Sequence, residues 1–258
     1  MKIRKAVILA GGYGTRLMEE TETRPKPMVE IGGRPILWHI MKIYAANGVS
    51  EFVLPLGYKG HMIKQYFAEY HLHAADVTID LSTNAVTMHK HDAEPWTVTL
   101  VDTGLNTMTG GRIARLRDHI GNEPFFLTYG DGVATLDIQA VADFHMSHGR
   151  VATVTAVRPP SRFGSLDIEN GQVIAFHEKP PAGETWINGG FFVLSPSIFD
   201  FIEDDHTVFE REPLEVLARN RELMAYQHEG FWYSMDTMRD KNHLEALWAS
   251  GEAPWKVW

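Results

Sequence analysis

Residues 6–16 of the chain run Ala6-Val7-Ile8-Leu9-Ala10-Gly11-Gly12-Tyr13-Gly14-Thr15-Arg16. The apolar start is typical of a buried strand in a parallel sheet. The glycines after it allow backbone N–H groups to surround an oxyanion at close range. Arg16 can add positive charge to the same anion, as can Lys26, which stands between two prolines. Glycines alone would equally indicate an ordinary turn, but the Thr15 hydroxyl and the two cations favour a loop that binds a triphosphate.

Two better-known phosphate motifs do not fit this stretch. A Walker loop needs a lysine directly after its last glycine, and here Thr15 follows Gly14. The dinucleotide fingerprint needs a third glycine three residues further on, where this chain has Leu17. A hydride-transferring dehydrogenase is therefore poorly supported.

The composition sets the class of protein. With 258 residues and 44% hydrophobic residues, the chain suits one large α/β domain with a sizeable core. Its net charge of −9 argues against wholesale binding to nucleic acid or to an anionic membrane. The absence of cysteine rules out disulfides and thiolate zinc sites. The first apolar run is too short for a signal-peptide core, and none approaches the length of a membrane span, so we expect a cytoplasmic protein.

Strands and helices alternate through the first half of the sequence. This order predicts a parallel sheet with crossover helices, in an α/β, Rossmann-like, mixed but mainly parallel arrangement. The interval 72–101 breaks the pattern with short β segments. The expected strands are 6–10, 51–56, 124–129 and 152–157, and the expected helices are 35–48, 61–70 and 137–148, the last capped by Asp137.

From Pro159 onward the strands become shorter and the turns more frequent. A hairpin is expected for residues 163–176, around Asn170-Gly171. Another strand is expected at 191–194, and helices at 212–220 and 241–249. We therefore expect a second, smaller lobe fused to the first half.

One acidic residue stands where ligands commonly bind in such folds. Asp131 follows the apolar run 124–129 and lies between two glycines. Open α/β sheets bind ligands at the carboxyl ends of their strands. Asp131 is therefore a candidate functional residue.

Six motifs follow one another along the chain. They are Leu9-Ala10-Gly11-Gly12-Tyr13-Gly14-Thr15-Arg16, Pro25-Lys26-Pro27, Gly130-Asp131, Glu178-Lys179-Pro180, Asn188-Gly189-Gly190 and Met235-Asp236-Thr237. In this order, and over almost the whole length, the chain resembles the sugar-phosphate nucleotidylyltransferases. The resemblance implies a fold of the nucleotide-diphospho-sugar transferase type in a single domain, 1–258. Residues 1–157 would bind the nucleotide, and 158–258 would form a smaller β-rich sugar-phosphate-binding half with the C-terminal tail.

Further stretches are similar to the branch of the family that uses CTP and glucose 1-phosphate. These are Glu94-Pro95-Trp96, Val101-Asp102-Thr103-Gly104, Met108-Thr109-Gly110-Gly111-Arg112 and Ala253-Pro254-Trp255-Lys256. The reaction implied is an in-line attack of the sugar phosphate on the α-phosphorus of the triphosphate, with loss of pyrophosphate. Since both reactants are anions, catalysis consists mostly of positioning and charge neutralisation.

The resemblance also assigns catalytic roles. Arg16 and Lys26 would grip the triphosphate and stabilise the transition state. Asp131 and Asp236 match the family's metal pair and would hold Mg²⁺, which prefers one or two carboxylates together with phosphates and water. The alternative is that each aspartate merely caps a helix or a turn.

The binding residues follow in the same way. Lys179 matches the lysine that holds the sugar phosphate, while Glu178, Asn188 and Gly189 match residues that contact sugar hydroxyls. Thr107 and Arg112 are expected to frame the base, although Arg112 could equally contact phosphate or an acidic neighbour. The nucleotide-binding set is Leu9, Ala10, Gly11, Gly12, Tyr13, Gly14, Thr15, Arg16, Lys26, Thr107, Gly111, Arg112 and Gly130.

Three other functions stay open at this point. The same chemistry with UTP or dTTP is the nearest alternative. A binding module that kept the fold and lost turnover is a second, and intact Arg16, Lys26, Asp131 and Asp236 argue against it. A sugar-nucleotide-dependent glycosyltransferase is a third, but Asp131-Gly132-Val133 lacks the second acid of an Asp-x-Asp metal site.

Two further features concern metals and partners. The pairs His71/His73 and His89/His91 lack a third ligand at a convincing spacing, which argues against a structural zinc site. Trp248, Trp255 and Trp258 crowd the C-terminus and either pack on their own chain or form a subunit interface; we expect the interface. The resemblance implies a homo-oligomer, a trimer or a hexamer, with no nucleic-acid or membrane partner.

Overall fold

A computed structural model of the chain describes residues 2–91, 93–159, 165–169, 172–177 and 185–258. Its strands are β1 (Lys5–Leu9), β2 (Glu30–Ile31), β3 (Arg34–Pro35), β4 (Glu51–Leu56), β5 (Ala75–Asp80), β6 (Ala85–His91), β7 (Thr97–Asp102), β8 (Phe125–Tyr129), β9 (Gly132–Ala134), β10 (Ala152–Val157), β11 (Ser165–Glu169), β12 (Gln172–His177), β13 (Ile187–Leu194), β14 (Leu223–His228) and β15 (Trp232–Ser234).

Helices alternate with many of these strands. They are α1 (Met18–Thr21), α2 (Ile36–Ala46), α3 (Gly60–Ala68), α4 (Tyr70–His73), α5 (Thr109–Ala114), α6 (Arg117–Ile120), α7 (Ile138–His148), α8 (Glu212–Arg219) and α9 (Met238–Ala249). Short 3-10 turns occur at Thr15–Leu17, Lys26–Met28 and Pro196–Phe201. Within the described ranges, no helix combines the length and the apolar character needed to cross a membrane.

A seven-stranded sheet forms the centre of the molecule, in the order β14-β10-β13-β8-β1-β4-β7. Strands β8, β1, β4 and β7 run parallel to one another, and β10 runs parallel to β14. Strand β13 is antiparallel to both of its neighbours. The prediction of a mixed, mainly parallel sheet in an α/β fold is confirmed, and strands from both halves of the chain take part in it.

The first strand is buried on both faces. Ala6 and Ile8 pack into one apolar cluster together with α2, whereas Val7 and Leu9 pack into a second cluster with Ile113. This alternation follows from the two-residue period of a strand. Fully burying a valine or isoleucine side chain contributes roughly 1.5–3 kcal/mol. The strand therefore holds the loop that follows it in a fixed place.

The interval 72–101 contains one strand of the main sheet. Strand β7 pairs in parallel with β4, in the register Phe52↔Val98, and forms the edge of the sheet. Strands β5 and β6 pair only with each other in a separate hairpin within the described residues. The short β segments expected in this interval are confirmed, and the last of them, β7, has alternating apolar residues that fit a half-buried edge.

The expected hairpin in the second half forms between β11 and β12, which are antiparallel. Its turn at Asn170-Gly171 lies outside the described residues. The expected strand at 191–194 extends back to Ile187 and so includes Asn188 and Gly189. Glycines weaken the strand signal in the sequence, which explains the late start that was expected.

The N-termini of α7 and α9 both begin at capping residues that are visible in the sequence. The Asp137 carboxylate accepts a hydrogen bond from the N–H of Ala140, as expected of an N-cap. Helix α9 begins at Met238 rather than at Lys241, because Thr237 and Asp240 form a reciprocal capping box. That box was the signal in the sequence for the earlier start.

The tryptophans of the C-terminal tail pack on their own chain. Trp255 is 1% exposed, and its ring lies 5.8 Å from that of Phe231. The Trp258 ring meets Trp38 edge-on at 5.7 Å. Trp255 therefore belongs to the core of its own chain, contrary to the expectation that it forms a subunit interface.

Candidate active site

Two carboxylates and two cations converge beside the carboxyl ends of the central strands. The Lys26 Nζ lies 2.5 Å from an Asp131 oxygen and 2.9 Å from an Asp236 oxygen. The Arg16 guanidinium lies 2.9 Å from the same oxygen of Asp236. All four residues to which the sequence assigned catalytic roles are thus brought together, although they come from distant parts of the chain.

Strand pairing explains how the two aspartates meet. Asp131 follows β8 in the centre of the sheet, and Asp236 follows the short strand β15. Strand β15 pairs antiparallel with β9, which begins directly after Asp131. The N–H of Met235 also donates to the carbonyl oxygen of Asp131, at 2.8 Å. The backbone around each aspartate therefore holds the other in position.

The electrostatics of the group favour the charged forms of Lys26 and Asp236. Burial by itself would lower the pKa of Lys26, but the adjacent carboxylates of Asp131 and Asp236 outweigh it and raise that pKa above its usual value. Burial would likewise raise the pKa of Asp236, but Lys26 and Arg16 outweigh it and lower that pKa. Both shifts strengthen the ion pair between Lys26 and Asp236.

The acid pair has the chemistry of a divalent-cation site. Both carboxylates already converge on one cationic group, the Lys26 ammonium. The Ser234 hydroxyl donates to the second oxygen of Asp236 and helps to orient it. Two carboxylates that are open to a cavity and complemented by substrate phosphates match what Mg²⁺ prefers. Asp131 and Asp236 therefore fit a metal that arrives with a phosphate ligand.

A cavity of about 570 Å³ opens beside this group. Its volume lies within the range of small-molecule and cofactor sites. It is lined by Leu9, Ala10, Gly11, Gly12, Tyr13, Gly14, Thr15, Arg16, Lys26, Pro27, Leu105, Asn106, Thr107, Met108, Thr109, Arg112, Tyr129, Gly130, Asp131 and Glu210. All the predicted nucleotide-binding residues except Gly111 belong to this lining.

The glycine loop lies along one wall of the cavity and needs its glycines for geometric reasons. Gly14 has a φ of +65°, and a Cβ placed there would come within 2.8 Å of the Thr21 side chain. A Cβ at Gly11 would come within 2.4 Å of the Arg112 guanidinium. Because both positions exclude side chains, the backbone itself faces the cavity.

The Arg112 side chain connects the backbone segments that form the wall of the larger cavity. Its buried guanidinium donates to the carbonyl oxygens of Gly11, Leu56, Gly104 and Leu105 and to the Thr103 hydroxyl, at 2.8–3.2 Å. Burial lowers its pKa. Arg112 thus borders the expected base site, but its N–H groups are directed at protein oxygens rather than at a phosphate or an acidic side chain.

Gly111 does not reach the cavity, although it was expected to contact the nucleotide. A Cβ at this position would come within 2.5 Å of the Asp205 backbone, so the residue packs against the segment around 205. Thr107 is 9% exposed and does line the cavity. Gly111 lies within α5, and its contact with the nucleotide stays a prediction.

A smaller cavity, of about 220 Å³, adjoins the first on the other side of the acid pair. Arg16, Tyr129 and Asp131 line both cavities. Asn188 and Gly189, the expected sugar-binding residues on β13, line the smaller one. The other two expected residues, Glu178 and Lys179, lie outside the described residues.

Several lining residues were not anticipated from the sequence. Tyr129, Thr109 and Glu210 line the larger cavity, and Trp232 lines the smaller one, where its indole N–H donates to the Gly189 carbonyl at 2.7 Å. Tyr129 directly precedes the Gly130-Asp131 motif, so its position in the sequence was a usable signal. Glu210 carried none, because only long-range packing brings it to the cavity.

His73 and His89 each have a polar neighbour in the part of the chain that the structure describes. No group of three or more histidine, aspartate or glutamate side chains converges there. The His73 ring lies 3.7 Å from Glu69, and His89 is hydrogen-bonded to the Thr78 hydroxyl at 2.8 Å.

Comparison with known proteins adds sequence relatives. A family model described as nucleotidyl transferase matches residues 5–248. The glucose-1-phosphate cytidylyltransferase of Salmonella typhi is 58% identical over 255 residues, which cover 98% of this chain and 99% of that protein. The probable glucose-1-phosphate cytidylyltransferase of Bacillus subtilis is 48% identical, with 98% and 100% covered.

Solved structures share the fold. A UDP-glucose pyrophosphorylase from Acinetobacter baumanii superposes with a TM-score of 0.71 at 17% identity, and the match covers 98% of this chain and 96% of that one. At such low identity the similarity concerns the fold alone.

Proposed function

The chain belongs to the nucleotidyl transferase family, and we propose that it transfers a cytidylyl group from CTP to glucose 1-phosphate. The products are CDP-glucose and pyrophosphate. The observation that carries the proposal is the convergence of Arg16, Lys26, Asp131 and Asp236 at the junction of two cavities. The similarity to the Salmonella protein over nearly the whole chain supports this choice of substrates.

The proposed reaction is a displacement at phosphorus. A phosphate oxygen of glucose 1-phosphate attacks the α-phosphorus of CTP and forms a new P–O bond. The bond from the α-phosphorus to the oxygen that bridges to the β-phosphorus breaks, and pyrophosphate leaves with that electron pair. Since the substrate supplies the nucleophile, the protein needs to position two anions and neutralise their charge.

The side chains of Arg16 and Lys26 each have a role in the proposed reaction. Arg16 lines both cavities and can therefore contact phosphate from either substrate. Lys26 is held by the acid pair at the junction and can contribute positive charge to the transferring phosphoryl group. In the proposal, Asp131 and Asp236 hold Mg²⁺, which neutralises phosphate charge when bound.

The two cavities divide the substrates between them. The larger one, walled by the glycine loop and by Thr107, takes CTP in the proposal. The smaller one, beside Asn188 and Gly189, takes the glucose unit. Glu178 and Lys179 complete the sugar-phosphate site as proposed from the family's motif.

A direct product assay tests the proposal. The protein is incubated with Mg²⁺, glucose 1-phosphate and one of CTP, UTP, dTTP, GTP or ATP, and the sugar nucleotide is identified by mass spectrometry while pyrophosphate release is followed. CDP-glucose from CTP, at a rate well above the others, is the expected result. A preference for UTP or dTTP would overturn the base assignment, and CTP binding without any product would indicate a silent homologue.

The proposal extends to a homo-oligomer in the cytoplasm. Because Trp255 is buried in its own chain, it is not part of the proposed contact surface. Sedimentation of the purified protein tests the assembly, and a monomer at micromolar concentration would contradict it.

A further inference from the structure

One acidic residue in the wall of the larger cavity has no part in the reaction proposed above. Glu210 is half-buried, and it lines this cavity beside Thr109. The Thr109 hydroxyl donates to a Glu210 carboxylate oxygen at 2.6 Å, and the Thr109 oxygen accepts from the N–H of Phe209 at 2.9 Å. Thr109 therefore holds both the side chain of Glu210 and the backbone next to it. An ionised carboxylate accepts about four hydrogen bonds and donates none, so Glu210 has acceptor capacity left for a ligand.

The segment that ends at Glu210 is fixed to the start of α5. The N–H of Met108 donates to the Asp205 carbonyl oxygen at 2.8 Å, and that of Gly110 donates to the Thr207 carbonyl oxygen at 2.9 Å. The two segments are in close contact, since a Cβ at Gly110 would come within 2.7 Å of the same Thr207 oxygen. The position of the carboxylate is therefore set before any ligand binds.

This wall of the cavity has its donors engaged by the protein. The N–H groups of Met108 and Gly110 are used by carbonyl oxygens, and the Arg112 guanidinium donates to five protein oxygens. Two other cations of the cavity, Arg16 and Lys26, lie with the acid pair. A triphosphate is therefore attracted to Arg16 and Lys26 and repelled by the charge of Glu210. The part of the substrate that suits Glu210 is the uncharged nucleoside, which carries O–H and N–H donors.

We propose that Glu210 is a further nucleotide-binding residue, whose carboxylate accepts a hydrogen bond from the nucleoside part of the triphosphate. The donor is a ribose hydroxyl or the amino group of the base, both of which are neutral donors. Either donor makes Glu210 a specificity residue, because a deoxyribose lacks a hydroxyl, and uracil has a carbonyl where cytosine has its amino group. The inference rests on the proposed function, since that function assigns the larger cavity to CTP.

The sign of the effect on CTP binding tests this role. A carboxylate that only borders a polyanion weakens its binding, so its removal should tighten the binding of CTP. A carboxylate that accepts from the nucleoside strengthens binding instead. In calorimetry with Mg²⁺ and without glucose 1-phosphate, we expect Glu210→Ala to weaken the binding of CTP about tenfold or more. Unchanged or tighter binding of CTP would overturn the inference.

Inorganic tripolyphosphate isolates the contribution of the nucleoside, because it carries the phosphates alone. Glu210→Ala should bind it at least as tightly as the wild type does. Equal weakening of tripolyphosphate and CTP would show that the replacement disturbs the phosphate site, and would contradict the inference. So would steady-state kinetics in which only the KM for glucose 1-phosphate rises, since Glu210 would then serve the sugar.

Nucleotide analogues identify the donor. The preference of the wild type for CTP over 2′-deoxy-CTP, 3′-deoxy-CTP and UTP is compared with that of Glu210→Ala. We expect one of these preferences to fall about tenfold. A fall against a deoxy analogue assigns the contact to that ribose hydroxyl, and a fall against UTP assigns it to the amino group of the base. Three unchanged preferences would contradict the inference.

Glu210→Gln keeps the shape of the side chain and an oxygen that can accept from Thr109. It serves if Glu210→Ala does not fold, and it should weaken the binding of CTP about fivefold, because the acceptor loses its charge. Its amide N–H can donate to a carbonyl, so the binding of UTP should improve if the base supplies the donor and stay unchanged if the ribose does. Tighter binding of CTP to Glu210→Gln would again show a bystander.

Glu215→Gln is the matched control for loss of a negative charge. Glu215 lies on α8, where its exposed side chain is 3.9 Å from Arg219 and outside both cavities. It should change none of these affinities or preferences. A wild type that binds CTP and forms no CDP-glucose would refute the proposed function, while the calorimetry would still test Glu210. A fully active wild type with unaltered CTP binding in Glu210→Ala would refute this inference alone.

Discussion

Asp131 and Asp236 share a single ammonium group: each places a carboxylate oxygen within 2.9 Å of the Lys26 Nζ. This arrangement neutralises two adjacent negative charges that would otherwise repel each other at a partly buried site. It also means that a divalent cation arriving at the acid pair meets a resident positive charge. The ion pairs with Lys26 should therefore influence how tightly the acid pair binds a metal.

Replacing Lys26 by glutamine should separate metal binding from turnover. Without the ammonium, the acid pair loses the positive charge that both carboxylates share, so free Mn²⁺ should bind about tenfold more tightly in the absence of nucleotide. Turnover should nevertheless fall by roughly 10²–10³, because a charge on the transferring phosphoryl group is lost. Titration by electron paramagnetic resonance and product formation measure the two effects.

Lys42→Gln is the matched control for that variant, because Lys42 pairs with Glu94 at 2.7 Å outside both cavities. It should change neither Mn²⁺ affinity nor turnover. Unchanged or weaker Mn²⁺ binding in Lys26→Gln would show that the ammonium does not compete with the metal.

Replacing Arg112 by alanine should lower the free energy of unfolding more than replacing an exposed arginine does. Its guanidinium satisfies buried carbonyl groups of three separate segments, and Arg112→Ala would leave those oxygens without partners. We expect a loss of about 2–4 kcal/mol in the free energy of unfolding, together with a raised KM for CTP. Urea denaturation and kinetics measure these two effects.

Arg115→Ala provides the comparison for Arg112. Arg115 forms an exposed bidentate pair with Asp205. Arg115→Ala should therefore lower the free energy of unfolding by less than about 1 kcal/mol. Equal stability losses in the two variants would contradict the anchoring role of Arg112. Unchanged affinity and selectivity for CTP in Arg112→Ala would remove the residue from the nucleotide site.

Two buried histidines should make the protein sensitive to mild acid. Burial lowers the pKa of His39 and of His145 to about 4 each, against about 6.5 in the unfolded chain. Between these values the unfolded state binds protons that the folded state excludes. Stability should therefore be complete above about pH 6.5 and fall as the pH decreases toward 4, by roughly 1.4 kcal/mol per unit of pKa difference.

His145→Gln tests this sign directly. Urea unfolding at several pH values should show a shallower fall for His145→Gln than for the wild type across that window. His73→Gln, at an exposed ring beside Glu69, should retain the steep fall. If the wild type and His145→Gln have equal slopes, another group is responsible for the acid sensitivity.

A strand or helix was predictable from the sequence where the residues that specify it lie within one short segment. The apolar run before Gly11 and the proline ahead of α2 placed the first strand and helix correctly, and Asp131 was located by the end of a buried strand. Each of these features depends on local sequence and on the edge rule for parallel sheets. The capping box of α9 was visible in the sequence too, but it was overlooked.

The remaining features depend on contacts between distant segments. Strand β13 enters the centre of the sheet antiparallel to its neighbours, an order that no local pattern specifies. Glu210 reaches the cavity because Phe209 beside it is buried, and Arg112 finds carbonyl partners in separate loops. Such partners are set by tertiary packing, so sequence spacing indicated the residue types but not their neighbours.

The glycine loop provides a test of backbone geometry in nucleotide binding. Gly14 has a left-handed conformation, with φ +65°, and a Cβ would come within 3.1 Å of Lys26 as well as 2.8 Å from Thr21. Gly14→Ala should therefore displace the loop and Lys26 together and raise the KM for CTP about tenfold. Gly149→Ala is the matched control, since Gly149 has φ +63° with open space around it at the end of α7. It should cost about 1 kcal/mol of stability and leave the KM for CTP unchanged. Thermal unfolding and kinetics compare the two variants, and a KM for CTP that rises equally in both would mean that the close approach at Gly14 has no specific role.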